Sequence, residues 1–129
     1  MALIGEISRA SWVGIEHIQE ESVSEVKIIA IYPRPTNIET FEKLYLEEHV
    51  PLAVEKLKGP IKFVATKILA SPQGTPPFHR MAEIYFPSLE ALEACVGSAG
   101  GQETMAHAVA ISSGGPPIFL VAEEDTFTF

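Results

Sequence analysis

Residues 26 to 32, Val-Lys-Ile-Ile-Ala-Ile-Tyr, form a run of strand length that is rich in β-branched side chains. Because only Lys27 in this run is charged, apolar groups alternate onto both faces of the strand. Such a pattern is typical of a strand in the middle of a sheet, where other elements cover both faces. Pro33 and Pro35 end the run. The pattern therefore predicts a central β-strand around which the rest of the chain must pack.

The segment that follows predicts a helix with an interruption. Thr36 and Glu39 have the spacing of a capping box, which marks the start of a helix. Apolar and aromatic side chains then recur at helical spacing, with charged side chains on the opposite face. Pro51 falls inside this pattern, so the helix should kink there or end a first segment near His49.

Further strands and helices follow in an order that specifies the fold class. A loop over residues 71 to 77 joins two of the strands in a hairpin, and Ser88 is the expected N-cap of the second helix. Glycines between residues 97 and 101 should break that helix before a further short one. The expected strands are 61 to 69, 78 to 86 and 117 to 122, and the further helix is 102 to 111. The order β-α-β-β-α-β predicts an α+β, ferredoxin-like fold, with one four-stranded antiparallel sheet and helices on one face.

Length and charge narrow the classes of protein to which the chain can belong. Its 129 residues suffice for one domain, which we place at residues 26 to 122. Residues 1 to 25 are expected to form an N-terminal extension anchored by Trp12, and residues 123 to 129 a C-terminal tail. The formal net charge of −8 disfavours nucleic acid and anionic membranes as partners. No apolar run approaches the ~20 residues of a membrane span, and the N-terminus lacks the basic region of a signal peptide. We therefore expect a cytoplasmic protein.

Alternation along the third expected strand divides its side chains between two faces. One face carries Phe78, Arg80, Ala82, Ile84 and Phe86, and the other carries His79, Met81, Glu83 and Tyr85. Two short helices cover only one side of the sheet, which leaves aliphatic side chains such as Ile29 and Ile31 on the other side. That patch would exceed the roughly 300–600 Å² that a monomer usually tolerates. We therefore predict a homodimer in which two sheets close face to face.

His49 is the strongest candidate for a chemical role. It follows Phe41 and Tyr45 at helical spacing, so all three belong to one stripe that faces the sheet. The kink expected at Pro51 would open space beside the imidazole. Two interpretations remain open. His49 is a general base or hydrogen-bond donor in a pocket between helix and sheet, or it is a structural imidazole bonded to a freed backbone carbonyl.

Other polar side chains near this pocket also have more than one interpretation. Tyr32 and Arg80 are expected on the same sheet face as His49. There Arg80 could clamp a bound carboxylate or phenolate, or extend outward to solvent. Glu83 is expected on the opposite face, where burial would require a partner such as Lys27 or Lys67.

Metal and nucleotide sites have little support in the sequence. The four histidines are scattered, and Glu103 and His107, one helical turn apart, are best interpreted as a solvated pair on a helix surface. The glycines form neither a phosphate-binding loop nor a dinucleotide-binding turn. Cys95, the sole cysteine, lies at an apolar helical position and is expected to be inert. We therefore expect no metal and no organic cofactor.

Several stretches of the sequence resemble the EthD family. They are Ile28 to Pro35, Phe41 and Tyr45, Glu-His-Val-Pro-Leu at 48 to 52, Arg-Met-Ala-Glu-Ile-Tyr-Phe at 80 to 86, and Ser-Leu-Glu-Ala-Leu at 88 to 92. The resemblance covers residues 26 to 122. It implies a dimeric α/β barrel, and related barrels include lactone isomerases, polyketide cyclases and decarboxylases that work without a metal or organic cofactor.

The resemblance also implies a pocket between sheet and helices, in which histidine and tyrosine supply acid–base groups. By motif position it assigns His49, whereas Arg80 stands where some relatives carry a histidine. The expected catalytic residues are His49 and Arg80, and the expected ligand-binding residues are Tyr32, Tyr45, Phe78 and Ile28. The expected function is a cofactor-free isomerase, cyclase or decarboxylase that acts on a small, partly apolar carbonyl or phenolic metabolite. The alternatives are a non-catalytic ligand-binding or accessory protein of a degradation pathway, and a haem-degrading or quinol monooxygenase.

Overall fold

The structure is a computed structural model that describes residues 12–14 and 25–129. The expected strands and helices are present, in the expected order. They are β1 (Val26–Pro33), α1 (Ile38–Leu44), a π-helical turn (Tyr45–His49), α2 (Val50–Lys56), β2 (Lys62–Lys67), β3 (Phe78–Phe86), α3 (Leu89–Gly97), α4 (Ala99–Ile111) and β4 (Ile118–Glu123). Apart from 12–14 and 25, the N-terminal extension predicted over residues 1 to 25 lies outside the described residues.

The four strands form one antiparallel sheet in the order β2-β3-β1-β4. β1 lies in the middle, between β3 and β4, as its two-sided apolar pattern predicted. One face of the sheet packs against the helices, and every second residue of β1 is buried there. The predicted α+β, ferredoxin-like fold is therefore confirmed.

The side chains under the helices form two clusters. In one of them Val26 and Ile28 of β1 pack with α3 and with Phe86 at the end of β3, and Trp12 packs against this cluster. In the other, Tyr32 packs with α1, the π turn and the C-terminal half of α4. The two clusters meet at the middle of β1, where the candidate site lies.

The opposite face of the sheet carries apolar side chains that no helix within residues 25–129 covers. These side chains are Ile29, Ile31, Met81, Ile118 and Leu120, of which the last two are 40% and 44% exposed. Lys27 and Glu83 form one of the two expected ion pairs on this face, with Nζ 2.5 Å from the carboxylate. The alternation therefore predicted this face correctly, since the face carries an apolar surface beside the Lys27–Glu83 ion pair.

The helix caps agree with the sequence pattern at α3 and differ from it at α1. Ser88 caps α3 as predicted. At α1 the N-cap is Asn37 and not Thr36, because the Asn37 side-chain oxygen accepts a hydrogen bond from the N–H of Thr40 at 2.9 Å. Thr36 instead donates its own N–H to the hydroxyl of Ser113 at 3.1 Å. The capping-box prediction was therefore wrong by one residue.

Pro51 is accommodated without ending the helix. The π-helical turn that ends at His49 separates α1 from α2, and the N–H of Val50 bonds to the carbonyl of Tyr45. This wider turn ends two residues before the proline, which has no N–H to donate and would clash with a regular turn. The expected kink therefore takes the form of a π turn with His49 as its last residue.

The break between α3 and α4 is a single residue, Ser98. Its hydroxyl accepts a hydrogen bond from the N–H of Gly101 at 3.0 Å and so caps α4. The prediction that α4 begins at Gln102 was wrong, because this cap starts the helix at Ala99 and carries it through two glycines.

A bulge in β3 reverses the alternation at the start of that strand. Tyr32 pairs with Arg80 and Pro33 pairs with Phe78, so His79 is an extra residue between two pairs. His79 consequently turns toward α1 and is buried there. Phe78, opposite Pro33, lies on the uncovered face. The prediction was wrong at both positions, since it placed Phe78 under the helices and His79 on the opposite side.

Candidate active site

His49 faces the sheet from the stripe on which its spacing placed it. The Phe41 and Tyr45 rings stack with centroids 5.5 Å apart, and the Tyr45 and His49 rings stack with centroids 5.7 Å apart. Tyr32, from β1, meets this stack edge-on. His49 is 4% exposed and Tyr32 is 1% exposed. The fold therefore buries a histidine and a tyrosine together between the helices and the sheet.

A line of hydrogen bonds joins this pair to a second histidine. The Tyr32 hydroxyl is 3.2 Å from Nε2 of His49, and Nδ1 of His49 is 2.9 Å from Nδ1 of His107 on α4. The two imidazole rings lie within 5° of parallel, with centroids 5.1 Å apart. Nε2 of His107 lies 3.8 Å from a carboxylate oxygen of Glu48, which is exposed. The line thus runs from the core to the protein surface.

The buried part of this line is uncharged at neutral pH. Burial, with the nearby His107 as a second cause, lowers the pKa of His49 to about 4. Burial also raises the pKa of Tyr32 well above its ordinary value. A neutral imidazole has one N–H and one lone pair. His49 therefore donates to one of its two neighbours and accepts from the other.

Tyr32 and His49 form part of the wall of a cavity between the sheet and the helices. The cavity is narrow, with a volume of about 40 Å³ measured as the space open to the centres of water-sized spheres. Most of its wall is apolar and includes Ile28, Met105 and Phe119. Polar groups in such a wall orient a ligand, and the apolar remainder supplies most of the contact area.

An open groove on the surface between α2 and β2 adjoins the cavity. Four side chains line both spaces, namely Ala53, Leu57, Phe63 and Ile84. His107 does not line either space.

Arg80 is paired within the protein with a carboxylate of α1. Its Nε and Nη2 donate to the two carboxylate oxygens of Glu42 at 2.9 and 2.7 Å, and Nε2 of His79 is 2.8 Å from the same carboxylate. The hydrogen bonds from Arg80, assisted by His79, lower the pKa of Glu42 to about 2. The guanidinium also lies over the ring of Tyr45, 5.0 Å from its centre. Glu42 thus occupies the position expected for a ligand carboxylate, and Arg80 does not line the cavity.

The other expected ligand-binding residues divide into two groups. Ile28 and Tyr32 line the cavity, whereas Tyr45 and Phe78 do not. Tyr45 lies behind His49, and burial raises the pKa of its hydroxyl to about 12. That hydroxyl has no hydrogen-bond partner among the described residues. The contribution of Tyr45 is to hold the His49 ring by stacking.

His107 is the site residue that the sequence interpretation missed. It was expected to form a solvated pair with Glu103, but Glu103 lies 3.7 Å from Lys56 and His107 turns inward to His49. A signal was present in the sequence. His107 follows Thr104 by three residues and precedes Ile111 by four, and both of those positions are buried.

Within residues 12–14 and 25–129, no three His, Cys, Asp or Glu side chains come together in a way that could hold a metal ion. No helix there has the length and apolar character needed to cross a membrane. Cys95 is buried, which raises the pKa of its thiol.

The sequence matches the model of the EthD domain over residues 34–111. The matched region is more than half of the chain, and it contains the π turn with His49 as well as α4 with His107. The chain belongs to the EthD family. The resemblance carried by the residues around His49 is thereby confirmed.

Solved structures similar to this EthD protein share its fold. An ethyl tert-butyl ether D (EthD) family protein from Bacillus halodurans is 29% identical with a TM-score of 0.72, over 78% of this chain and 99% of that one. A candidate antibiotic biosynthesis monooxygenase from Caulobacter crescentus is 15% identical with a TM-score of 0.55, over 81% and 92%. A dimeric ferredoxin-like protein of unknown function from Jannaschia is 14% identical with a TM-score of 0.58, over 77% and 99%. No curated protein matches the sequence significantly.

Proposed function

We propose that this EthD protein is a cytoplasmic, cofactor-free acid–base enzyme that acts on a small, partly apolar carbonyl or phenolic metabolite. The observation that carries the proposal is the hydrogen bond between Tyr32 and His49 in the wall of a mostly apolar cavity. The proposed reaction is an isomerisation, a cyclisation or a decarboxylation. All three proceed through proton transfer, which is the chemistry that a neutral tyrosine–histidine pair supplies.

The proposed proton transfer takes place at the Tyr32 oxygen. When Nε2 of His49 accepts the hydroxyl proton, the oxygen of Tyr32 is free to take a proton from the carbon beside a bound carbonyl group. The reverse transfer returns a proton to another atom of the same molecule, so an isomerisation ends with the enzyme in its starting protonation state. Hydrogen bonds in this low-dielectric wall are stronger than they would be in water.

The lining of the cavity supports a flat, partly apolar ligand. Phe63, Phe119 and Met105 supply apolar contact surface, and Tyr32 and His49 supply hydrogen-bonding groups at one side. A planar ring or enol with a single oxygen directed at Tyr32 would contact the apolar side chains and also form a hydrogen bond with the polar pair.

Substitution of the pair tests the proposal. Against a panel of small carbonyl and phenolic compounds, we expect Tyr32→Phe and His49→Gln each to lower kcat by about 100-fold or more for any compound that the wild type converts. Binding should change little, because both variants keep the shape of the wall. Conversion is followed by mass spectrometry and binding by ligand-observed NMR, with Glu47→Gln, at an exposed position of the π turn, as the control that should retain turnover.

The outcomes separate the rival functions. Undiminished turnover in both variants would remove the pair from the mechanism. Binding without conversion of any compound by the wild type would favour the non-catalytic ligand-binding or accessory role.

We also propose that two copies associate through the uncovered sheet face. Ile29, Ile31 and Met81 form the middle of an apolar surface there, flanked by exposed residues of β4. Twofold pairing would bury this surface against itself. The Jannaschia protein, which shares the fold, is described as dimeric.

A charge placed in the centre of this face should abolish the association. We expect the wild type to sediment at twice the 14.0 kDa chain mass. Ile31→Lys should sediment as a single chain, because a buried, unpaired ammonium is costly. Leu69→Lys, at a position 84% exposed, is the matched control and should remain paired. A wild type that sediments as a single chain at micromolar concentration would contradict the proposal.

A further inference from the structure

We infer that His107 is a positioning residue that acts through His49 and links the Tyr32 hydroxyl to solvent, by a proton route separate from the entrance that the ligand uses. The inference rests on the proposed function of Tyr32 and His49. Its structural basis is the unbroken line from the cavity wall through two imidazoles to the surface beside Glu48.

The site lies between two ends that face solvent. At one end, an open groove between α2 and β2 shares Leu57 and Phe63 with the cavity wall, and it is the entrance that we propose for the ligand. The other end is His107 on α4, whose side chain is 25% exposed and whose outer nitrogen points toward the carboxylate of Glu48. His107 belongs to neither the cavity wall nor the groove. A ligand that fills the cavity and blocks its mouth therefore leaves His107 in contact with solvent.

A route to solvent would keep Tyr32 and His49 from becoming a charged pair in the core. His49 lies in an environment that disfavours its charged form, since it is 4% exposed and beside a second imidazole. A proton that moved only between Tyr32 and His49 would leave a charged pair in the core. A third group that passes the charge outward removes that cost.

Tyr32, His49 and His107 together bind the same number of protons before and after a transfer, in whichever direction the protons move. In one arrangement Nδ1–H of His107 donates to Nδ1 of His49, Nε2–H of His49 donates to the Tyr32 oxygen, and the Tyr32 O–H points into the cavity. Transfer of the Tyr32 proton to a ligand is followed by one step along each hydrogen bond, and Nε2 of His107 takes a proton from water. The result is the opposite arrangement, in which each ring has exchanged its N–H for the other nitrogen. Every group remains neutral, and one proton enters for each proton that leaves.

Nitrogen-15 NMR of the histidine-labelled full chain, without any ligand, tests this inference. We expect a coupling between the two Nδ1 nuclei across their hydrogen bond in the wild type. We also expect exchange of the His49 ring N–H with water to slow at least tenfold in His107→Gln. Glutamine keeps a hydrogen-bonding group beside His49 but is unable to pass a proton from one atom to the next. Glu103→Gln, on the exposed side of the same helix, is the control and should exchange at the wild-type rate.

The readouts distinguish a proton relay from a packing role of His107. They also distinguish a failure of this inference from a failure of the proposed function. A folded His107→Gln protein that exchanges as fast as the wild type would overturn the inference, as would absence of the coupling in the wild type, which needs no variant. Slowed exchange in a protein that converts no compound would count against the proposed function alone. Loss of turnover in Tyr32→Phe with unaltered exchange in His107→Gln would count against the relay alone.

Discussion

Replacing Glu42 with glutamine is expected to lower the free energy of unfolding by about 3 kcal/mol at neutral pH. The carboxylate is 16% exposed and accepts two hydrogen bonds from Arg80 and a third contact from His79. Glutamine has one oxygen and no charge, so it leaves a guanidinium that is only 9% exposed without its counter-ion. Urea denaturation measured by circular dichroism gives the difference. Glu47→Gln, at an exposed position of the π turn, is the control and should change stability by less than about 0.5 kcal/mol.

The same variant should lose its effect in acid. The pKa of Glu42 falls from its ordinary value of 4.5 to about 2 in the folded protein. A lowered pKa contributes stability above the ordinary value, and that contribution disappears as the pH falls through the folded value. The difference between wild type and Glu42→Gln should therefore be complete at pH 6, narrow below pH 4.5 and close near pH 2. A difference that is independent of pH over this range would show that the charge of Glu42 is not its cause.

Replacing Gly101 with alanine is expected to destabilise the protein by about 3 kcal/mol or more. In an ordinary helix interior this change stabilises by about 1 kcal/mol, because glycine is a poor helix former. Here the added Cβ would lie 2.0 Å from the carbonyl oxygen of Cys95, the residue three before the cap of α4. Backbone at both positions would have to move, and the adjoining cavity wall would move with it, because Gly101 lines the cavity. The sign of the effect is thus set by tertiary packing.

Two other glycines make this prediction specific. Gly100→Ala should be similarly destabilising, because its Cβ would lie 2.2 Å from the carbonyl oxygen of Lys56. Gly97→Ala is the matched control, since no atom lies within 4 Å of the position of its Cβ. Thermal unfolding should show lower midpoints for the first two and an unchanged or higher midpoint for the third. An equal response at all three positions would mean that close approach of the backbones does not decide the effect.

Local patterns in the sequence were sufficient to predict which strands and helices form and in which order. The β-branched run of β1 predicted a central strand, and the alternation of β3 predicted an uncovered apolar face. Helical spacing placed His49 on the stripe of Phe41 and Tyr45. These features depend on side chains that are near neighbours in the chain, so their periodicity carries the information.

The errors arise where distant segments meet. The bulge at His79 brings its imidazole to the carboxylate of Glu42, which lies on another element. The alternation of the strand by itself gives no sign of this bulge. The sequence likewise did not reveal that Glu42 would be the partner of Arg80. His107 was assigned to solvent because its pairing with His49 joins two helices that are far apart in the chain.

The motifs of the amino-acid sequence resembled the EthD family, and its local patterns by themselves determined a β-α-β-β-α-β order, a buried histidine on the helical stripe of Phe41 and Tyr45, and an apolar sheet face. The local patterns were sufficient because each of these three properties follows from residue spacing within single elements. Only the tertiary structure decided which histidine joins His49, which carboxylate neutralises Arg80, and which glycines lack room for a side chain. Those outcomes depend on distances between elements, and spacing along the chain does not encode such distances directly.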